Sequence, residues 1–365
     1  MAKRAGANVY LYCHRDSFLS KKAKQNGVEL VFHKGKFYTK LVQWYKLRAL
    51  KKLINDLKID LIHCYNIKIL WPIAFFIRRK HKISLILTQG NEVQKFYRNF
   101  YYRPLSSRID QVLLPMQEMV ENIWGHLGVP PRKIKFIGMG CEQVIEKDKG
   151  KSPFGFSGER WCIGTNLSGL ETNTRFLNTL FNAFQVLTQK GLDNKNYTLV
   201  LMCEKDWGEF VLTDELKREV TDRGLEQNIA FYRPENFSKS LEQMDLWVGL
   251  SRREDIEDYS IQSLLSGVPV VMPRSSASME VIRELGTVAE TYKRDDSREL
   301  REKVEKLLVN LDTYKKSLNR STDKIKEDHG VDLYESKLIS LYSKVIRRRE
   351  RLLKVKFKKK SFKKA

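Results

Sequence analysis

At 365 residues and 42% hydrophobic content the chain is long enough for two globular domains, each with its own core. Its five cysteines, Cys13, Cys64, Cys141, Cys162 and Cys203, form no Cys-x-x-Cys pair, which speaks against a disulfide framework or a zinc site and for a reducing cytoplasm. The 67 Lys and Arg against 44 Asp and Glu give a formal charge of +23, so anionic partners are expected.

The charge is unevenly placed. From Lys344 to Ala365 there are 12 Lys and Arg and one acid, Glu350, so this tail carries +11 of the +23. No zinc-finger spacing, aromatic RNA-binding signature or basic region with heptads accompanies it, which ranks nucleic acid below an acidic membrane surface as the partner. The longest apolar segment, Ile67 to Ile77, contains Lys68 and Pro72 and falls short of the ~20 residues a membrane-crossing helix needs. The N-terminus carries no signal-peptide core.

In chain order, Val9 to Cys13 reads as a strand, Lys21 to Gln25 as a helix stopped at Gly27, and Val28 to Phe32 as a strand. Lys40 to Lys58 has an apolar stripe of Leu47, Leu50, Ile54 and Leu57 at helical spacing. It reads as an amphipathic surface helix, with a membrane-touching helix as the alternative. Strands follow at Asp60 to Cys64, Ser84 to Thr88, Arg108 to Pro115 and Lys133 to Ile137, separated by helices at Ile69 to Arg79 and Glu118 to Leu127. Alternation of this kind predicts a parallel α/β sheet.

Glu146 to Glu159 is polar and rich in Gly, Ser and Lys, as a domain linker is. The alternation then restarts: strands at Trp161 to Leu167, Tyr197 to Met202 and Ile229 to Tyr232, with helices at Thr174 to Gln189, Leu212 to Arg223 and Ser238 to Met244. Leu246 to Pro273 reads as strand, charged loop, helix from Tyr259 to Ser266, stop at Gly267, and strand from Val268 to Met272. Buried parallel strands around one crossover place ligands at their C-terminal edge, where this unit carries Glu254 in its loop. Helices are expected from about Arg298 onward.

The order of these features resembles a GT-B glycosyltransferase of the retaining family 4 (glycosyl transferases group 1) type. The resemblance rests on Gly6-Ala7-Asn8-Val9, Asp60-Leu61-Ile62-His63, Arg108-Ile109-Asp110-Gln111-Val112, Gly128-Val129-Pro130 before Lys133-Ile134, and Gly138-Met139-Gly140-Cys141-Glu142. Its most specific part is Glu254, seven residues, then Gln262 and the Gly267-Val268-Pro269-Val270-Val271 turn and strand. The resemblance implies two Rossmann-like domains facing an interdomain cleft, with C-terminal helices and a basic tail. The boundaries expected are 1–145 for the acceptor-side domain, 146–159 for the linker, 160–330 for the nucleotide-sugar domain, 331–349 for a C-terminal helix and 350–365 for the tail.

The implied reaction moves a sugar from a nucleotide-sugar donor to a lipid-linked or cell-envelope glycan acceptor, with retention and without a metal or other cofactor. A polybasic tail would hold such an enzyme on the inner face of the plasma membrane. By the same carry-over Glu254 lies beside the donor sugar and its leaving phosphate. Arg175, Asn166, Gln262, Ser260, Tyr232, Arg233 and Pro234 fall on the donor side. Gln89, Gly90, Gly138 and Gly140 fall on the acceptor side or hinge. Arg175 reads equally as a diphosphate-binding cation or as an exposed arginine in a helix's first turn, and His63 as a catalyst or as a buried, hydrogen-bonded histidine.

Several positions depart from the family pattern. The sequence opens after the family's first strand and glycine-rich turn, so an exposed strand edge is expected in the N-terminal sheet. Gln89 replaces a common His, the family's first donor-side Arg falls on Asn166 or Gly169, and Cys203-Glu204-Lys205 replaces Gly-x-Gly. Asp255-Ile256-Glu257-Asp258 brings carboxylates where a diphosphate would lie. These departures keep a second reading open, a degenerate GT-B scaffold that binds a nucleotide without transfer.

Overall fold

The structure is a computed structural model that describes residues 7–15, 17–33, 50–65, 67–77, 82–90, 93, 95–100, 102–138, 140–141, 160–167, 174–191, 196–202, 214–234, 237–241, 243–249, 258–286 and 288–361. The chain divides into two compact units, Met1–Gly138 together with Tyr334–Ala365, and Met139–Leu333. The linker read at 146–159 lies outside the described residues, as does most of the helix read at 40–58, of which 50–56 is helical.

In the first unit, β1 (Tyr10–His14), α1 (Phe18–Gln25) and β2 (Glu29–His33) form a two-stranded parallel pair. After the helical segment 50–56 (α2) come β3 (Leu61–Cys64), α3 (Ile67–Ile77), β4 (Ser84–Thr88), α4 (Arg103–Ser106), β5 (Gln111–Leu114), α5 (Met119–Leu127) and β6 (Ile134–Phe136). These strands make a parallel sheet in the order β3-β4-β5-β6. Among the described residues no strand joins it to the β1-β2 pair. Gly128, with φ 66, ends α5 in the left-handed conformation that glycine adopts without steric cost.

The second unit holds β7 (Arg160–Asn166), α6 (Thr174–Lys190), β8 (Asn196–Met202), α7 (Asp214–Asp222), β9 (Ile229–Tyr232), α8 (Phe237–Leu241), β10 (Leu246–Val248), α9 (Asp258–Leu265), β11 (Val270–Pro273), α10 (Ser276–Leu285), β12 (Ala289–Tyr292), α11 (Ser297–Val309) and α12 (Leu311–His329). The six strands are all parallel, in the order β12-β11-β10-β7-β8-β9. Both faces are covered, and Phe181, Phe184, Leu199, Leu201, Val248 and Leu307 sit together in the core. Burying each such side chain contributes roughly 1.5–3 kcal/mol, which is why continuous apolar runs here adopt central strands. Glu290 of β12 ties two helices to the sheet edge, accepting hydrogen bonds from Lys303 and Lys306 of α11 and from Tyr314 of α12.

Gly164 of β7 is required by its neighbour. A Cβ there would lie 2.7 Å from Cε3 of Trp247 and 3.0 Å from Cγ of Met244. Trp247 is fully buried and packs edge-on against Phe237. Gly164→Val should therefore lower the urea midpoint of the second unit by an amount equivalent to roughly 1–3 kcal/mol or more. An unchanged midpoint would show that Trp247 relocates at no cost.

The last helix, α13, runs without interruption from Val331 to Ser361, through the 349/350 boundary expected from sequence. Leu338, Leu341, Tyr342 and Val345 cover the face of the first unit's sheet that carries Leu61, Ile86, Leu113 and Ile137. The basic stretch beginning at Lys344 is thus not wholly a free tail. Its first turns are core, and Arg349 reaches Asp110 with Nη1 3.0 Å from Oδ1.

Candidate functional site

The strand order of the second unit's parallel sheet reverses between β7 and β10. Sequence-adjacent strands lie outward on both sides, so the connections after β7 and β10 leave toward opposite faces. The two strand ends are locked together, because the Thr165 hydroxyl donates to the Val248 carbonyl at 2.8 Å in a fully buried setting. Asn166, the last residue of β7, is buried beside them.

Gly249 follows β10 directly, and a Cβ on it would stand 2.4 Å from Oγ of Ser260. The glycine lets the first turn of α9 rest on the strand end. Ser260 is fully buried, and its Oγ has no hydrogen-bond partner among the described residues; the same holds for the buried Oε1 of Gln262 one half-turn on. Two unsatisfied oxygens beside a switch point favour a ligand with hydroxyl or amide donors, since an unpaired buried polar group costs on the order of 1–3 kcal/mol.

The other residues expected on the donor side lie at the same edge of the sheet. Arg175 is exposed in the first turn of α6, the helix that follows β7. The helix dipole disfavours a cation there, and an anionic ligand would offset that. Tyr232 ends β9 half-buried, followed by exposed Arg233 and buried Pro234. Glu254 and the carboxylates Asp255 and Glu257 lie outside the described residues, in the connection between β10 and α9, and Asp258 opens α9. The topology thus brings Asn166, Arg175, Tyr232, Arg233, Pro234, Ser260 and Gln262 to one edge of one sheet.

The first unit carries the remaining residues. Gln89 and Gly90 leave the C-terminal end of β4, and the Gln89 amide donates to Leu113 at 3.0 Å. Nothing lies within 4 Å of a Cβ built on Gly90, so the position is open. Gly138 ends the first unit's long segment, and Gly140, in the second unit, takes φ 69, a conformation suited to glycine.

His63 of β3 is held from both sides. Nδ1 lies 2.5 Å from the Tyr342 hydroxyl of α13, Nε2 lies 2.6 Å from the Thr88 hydroxyl of β4, and the ring stacks on Tyr65 at 4.5 Å. As a proton acceptor it would have to release one of these partners. Burial lowers its pKa to about 4, so the folded state holds a neutral ring. An unfolded chain protonates this histidine near 6.5, so stability falls as pH drops from 6.5 toward 4, by up to roughly 3 kcal/mol. His63→Gln should flatten that stretch of the stability curve measured by urea unfolding at pH 7 and pH 5. An equally steep curve in the variant would assign the loss to other groups.

Among the described residues no group of three or more His, Cys, Asp or Glu is placed to hold a metal ion, and no helix is long and apolar enough to cross a membrane.

Residues 1–142 match the family model for Glycosyltransferase Family 4. Solved structures agree over nearly the whole chain. A glycosyltransferase from Rickettsia africae superposes with a TM-score of 0.76 at 12% identity, covering 94% of this chain and 92% of that one. HepE from Anabaena, in complex with UDP, gives 0.71 at 14% identity and covers 92% of both chains. The lipopolysaccharide outer core galactosyltransferase WaaB in its apo form gives 0.59 at 12% identity, over 88% of this chain and 86% of that one.

The fold is GT-B. At these identities the likeness is one of architecture, and no curated protein matches the chain by sequence. Within a GT-B chain the first unit, which carries the family match, and the second, with its six-stranded switch-point sheet, are the two Rossmann-like halves. Sequence reasoning missed the Thr165–Val248 lock, which joins segments 83 residues apart, and the fit of Gly249 to Ser260, which depends on how α9 packs on the end of β10.

Proposed function

We propose that this chain is a retaining, metal-independent glycosyltransferase that moves a sugar from a nucleotide-sugar donor to a lipid-linked or cell-envelope glycan acceptor of lipopolysaccharide or capsule type. The observation that carries this reading is the switch point of the second unit, where Ser260 of α9 leaves a buried oxygen unsatisfied against Gly249 at the end of β10, with a second unsatisfied oxygen on Gln262 of the same helix. HepE, similar over 92% of its length, is known in complex with UDP and with UDP-glucose, which supports a nucleotide sugar as donor. WaaB supports an acceptor in the lipopolysaccharide class.

Sugar transfer passes through an oxocarbenium-like centre while a diphosphate leaves, so the site must orient two substrates and neutralise departing charge. Arg175 and the amino end of α6 take the diphosphate. Gln262 accepts from a ribose hydroxyl. Tyr232, Arg233 and Pro234 border the base, Asn166 and Ser260 line the floor, and Glu254 stands beside the sugar. Gln89, Gly90, Gly138 and Gly140 serve the acceptor side or hinge, and His63 braces that side through Thr88 and Tyr342. The enzyme works in the cytoplasm, peripheral on the inner face of the plasma membrane.

The test uses the full chain with a panel of labelled UDP- and GDP-sugars and a bacterial lipid extract. Donor-dependent incorporation into lipid, with the anomeric configuration kept, is expected. Absence of both donor binding by calorimetry and incorporation would overturn the proposal. Binding without incorporation or donor hydrolysis would select the second reading, a degenerate scaffold, which the carboxylates from Asp255 to Asp258 favour.

A further inference from the structure

Among the described residues of the first unit, Phe75, Phe96, Phe100 and Trp124 expose their aromatic side chains on neighbouring elements. Phe96 and Phe100 are 64% and 86% exposed, Trp124 on α5 is 48% exposed and Phe75 on α3 is 50% exposed. They project from an ordered base. The Val93 amide donates to Oδ1 of Asn122 at 2.8 Å and the Tyr97 amide to the His126 carbonyl at 2.7 Å, strapping this segment along α5. Tyr97 and Tyr102 pack on Trp71 of α3 with ring centroids 5.1 and 4.9 Å apart, one turn from Phe75. Phe96 meets His126, and the Arg98 guanidinium lies over the Trp124 ring.

The exposed charge around these rings is mostly positive, with Glu121 of α5, one turn before Trp124, as an exposed acid among it. Lys95, Arg98 and Arg103 are exposed among the aromatics. Large apolar side chains gathered on an exposed face mark an interaction surface. A second copy is a poor occupant, because a two-fold interface would bring both sets of cations together. Base stacking is disfavoured too, since Arg98 already covers the Trp124 face and Tyr97 and Tyr102 are turned into the cluster with Trp71.

We infer that this face docks on an anionic lipid bilayer. Phe75, Phe96, Phe100 and Trp124 enter the interfacial layer, and Lys95, Arg98 and Arg103 meet lipid phosphates. The inference serves the lipid-linked acceptor proposed above and rests on that reading only for its purpose, because docking is measured without any donor. It also places membrane contact on a folded surface in addition to the basic tail.

The experiment sediments the full chain with vesicles of phosphatidylcholine alone and of phosphatidylcholine with phosphatidylglycerol. Binding to the anionic vesicles is expected, with quenching of Trp124 by brominated acyl chains, identified as the part of the signal lost in Trp124→Phe. Phe96→Ser with Phe100→Ser, at exposed positions, should weaken vesicle binding about tenfold or more while leaving donor binding unchanged. A chain ending at Leu352, which keeps Val345 and Arg349, should retain quenching. Wild-type vesicle binding by the double variant overturns the inference. So does loss of self-association, or of RNA binding, in the double variant without a change in vesicle binding.

Discussion

Asp110→Ala should lower the stability of the first unit by roughly 3–5 kcal/mol and release α13 from its sheet. The carboxylate is the meeting point of three elements. Oδ2 accepts from the Leu85 amide of β4 and from Nη1 of Arg108, both at 2.9 Å, and Oδ1 accepts from Arg349 of α13 at 3.0 Å. Arg108 is nearly buried, and it also donates to the carbonyls of Ile77 and Ile83. Burial depresses the Arg108 pKa, Asp110 counters that, and Arg349 adds to the depression. Removing the carboxylate leaves two close guanidinium groups without their shared counter-charge. Arg349→Ala should cost less, because the Arg108–Asp110 pair survives. Hydrogen exchange over 334–352 reads the release of α13, and urea unfolding reads the energy. If Asp110→Ala unfolds at the wild-type midpoint, the network carries no net stability.

Glu254→Ala should reduce transfer by about 10²-fold or more while melting and donor affinity change little, as expected for a group whose interaction grows toward the transition state. The residue lies between β10 and α9, on the connection leaving the switch point. Gln262→Ala should instead raise the KM for the donor with kcat nearly kept, since the proposed ribose contact would bind ground and transition states alike. Full transfer activity in Glu254→Ala would remove this residue from the chemistry. Comparing the two variants in one assay separates binding from catalysis.

Much of the fold was legible in local pattern. Apolar runs such as Tyr197 to Met202 and Ile229 to Tyr232 read as buried strands because parallel strands covered on both faces need continuous hydrophobic side chains. The stretch Arg108 to Pro115 reads as strand throughout, yet β5 is only Gln111–Leu114. Arg108 and Asp110 precede it as an ionic anchor whose partner Arg349 lies 239 residues away, a spacing no local pattern reports. The helix expected at 331–349 likewise shows nothing local of its packing, although Val345 joins the core of the first unit.

The aromatic face was equally hidden. Phe96, Tyr97, Phe100 and Tyr102 are alike in sequence, and only the packing of Trp71 against Tyr97 and Tyr102 decides which rings turn inward. The sequence by itself determined the α/β alternation, the glycine stops and the placement of Glu254 and Gln262 around one crossover, because these follow from periodicity and short-range backbone preference. The tertiary structure alone decided the strand order that makes β7 and β10 neighbours, the unsatisfied oxygens of Ser260 and Gln262, and the anchoring of α13 on Asp110. The first and last join segments distant in the chain, and the unsatisfied oxygens follow from burial that only the closed sheet and its helices impose.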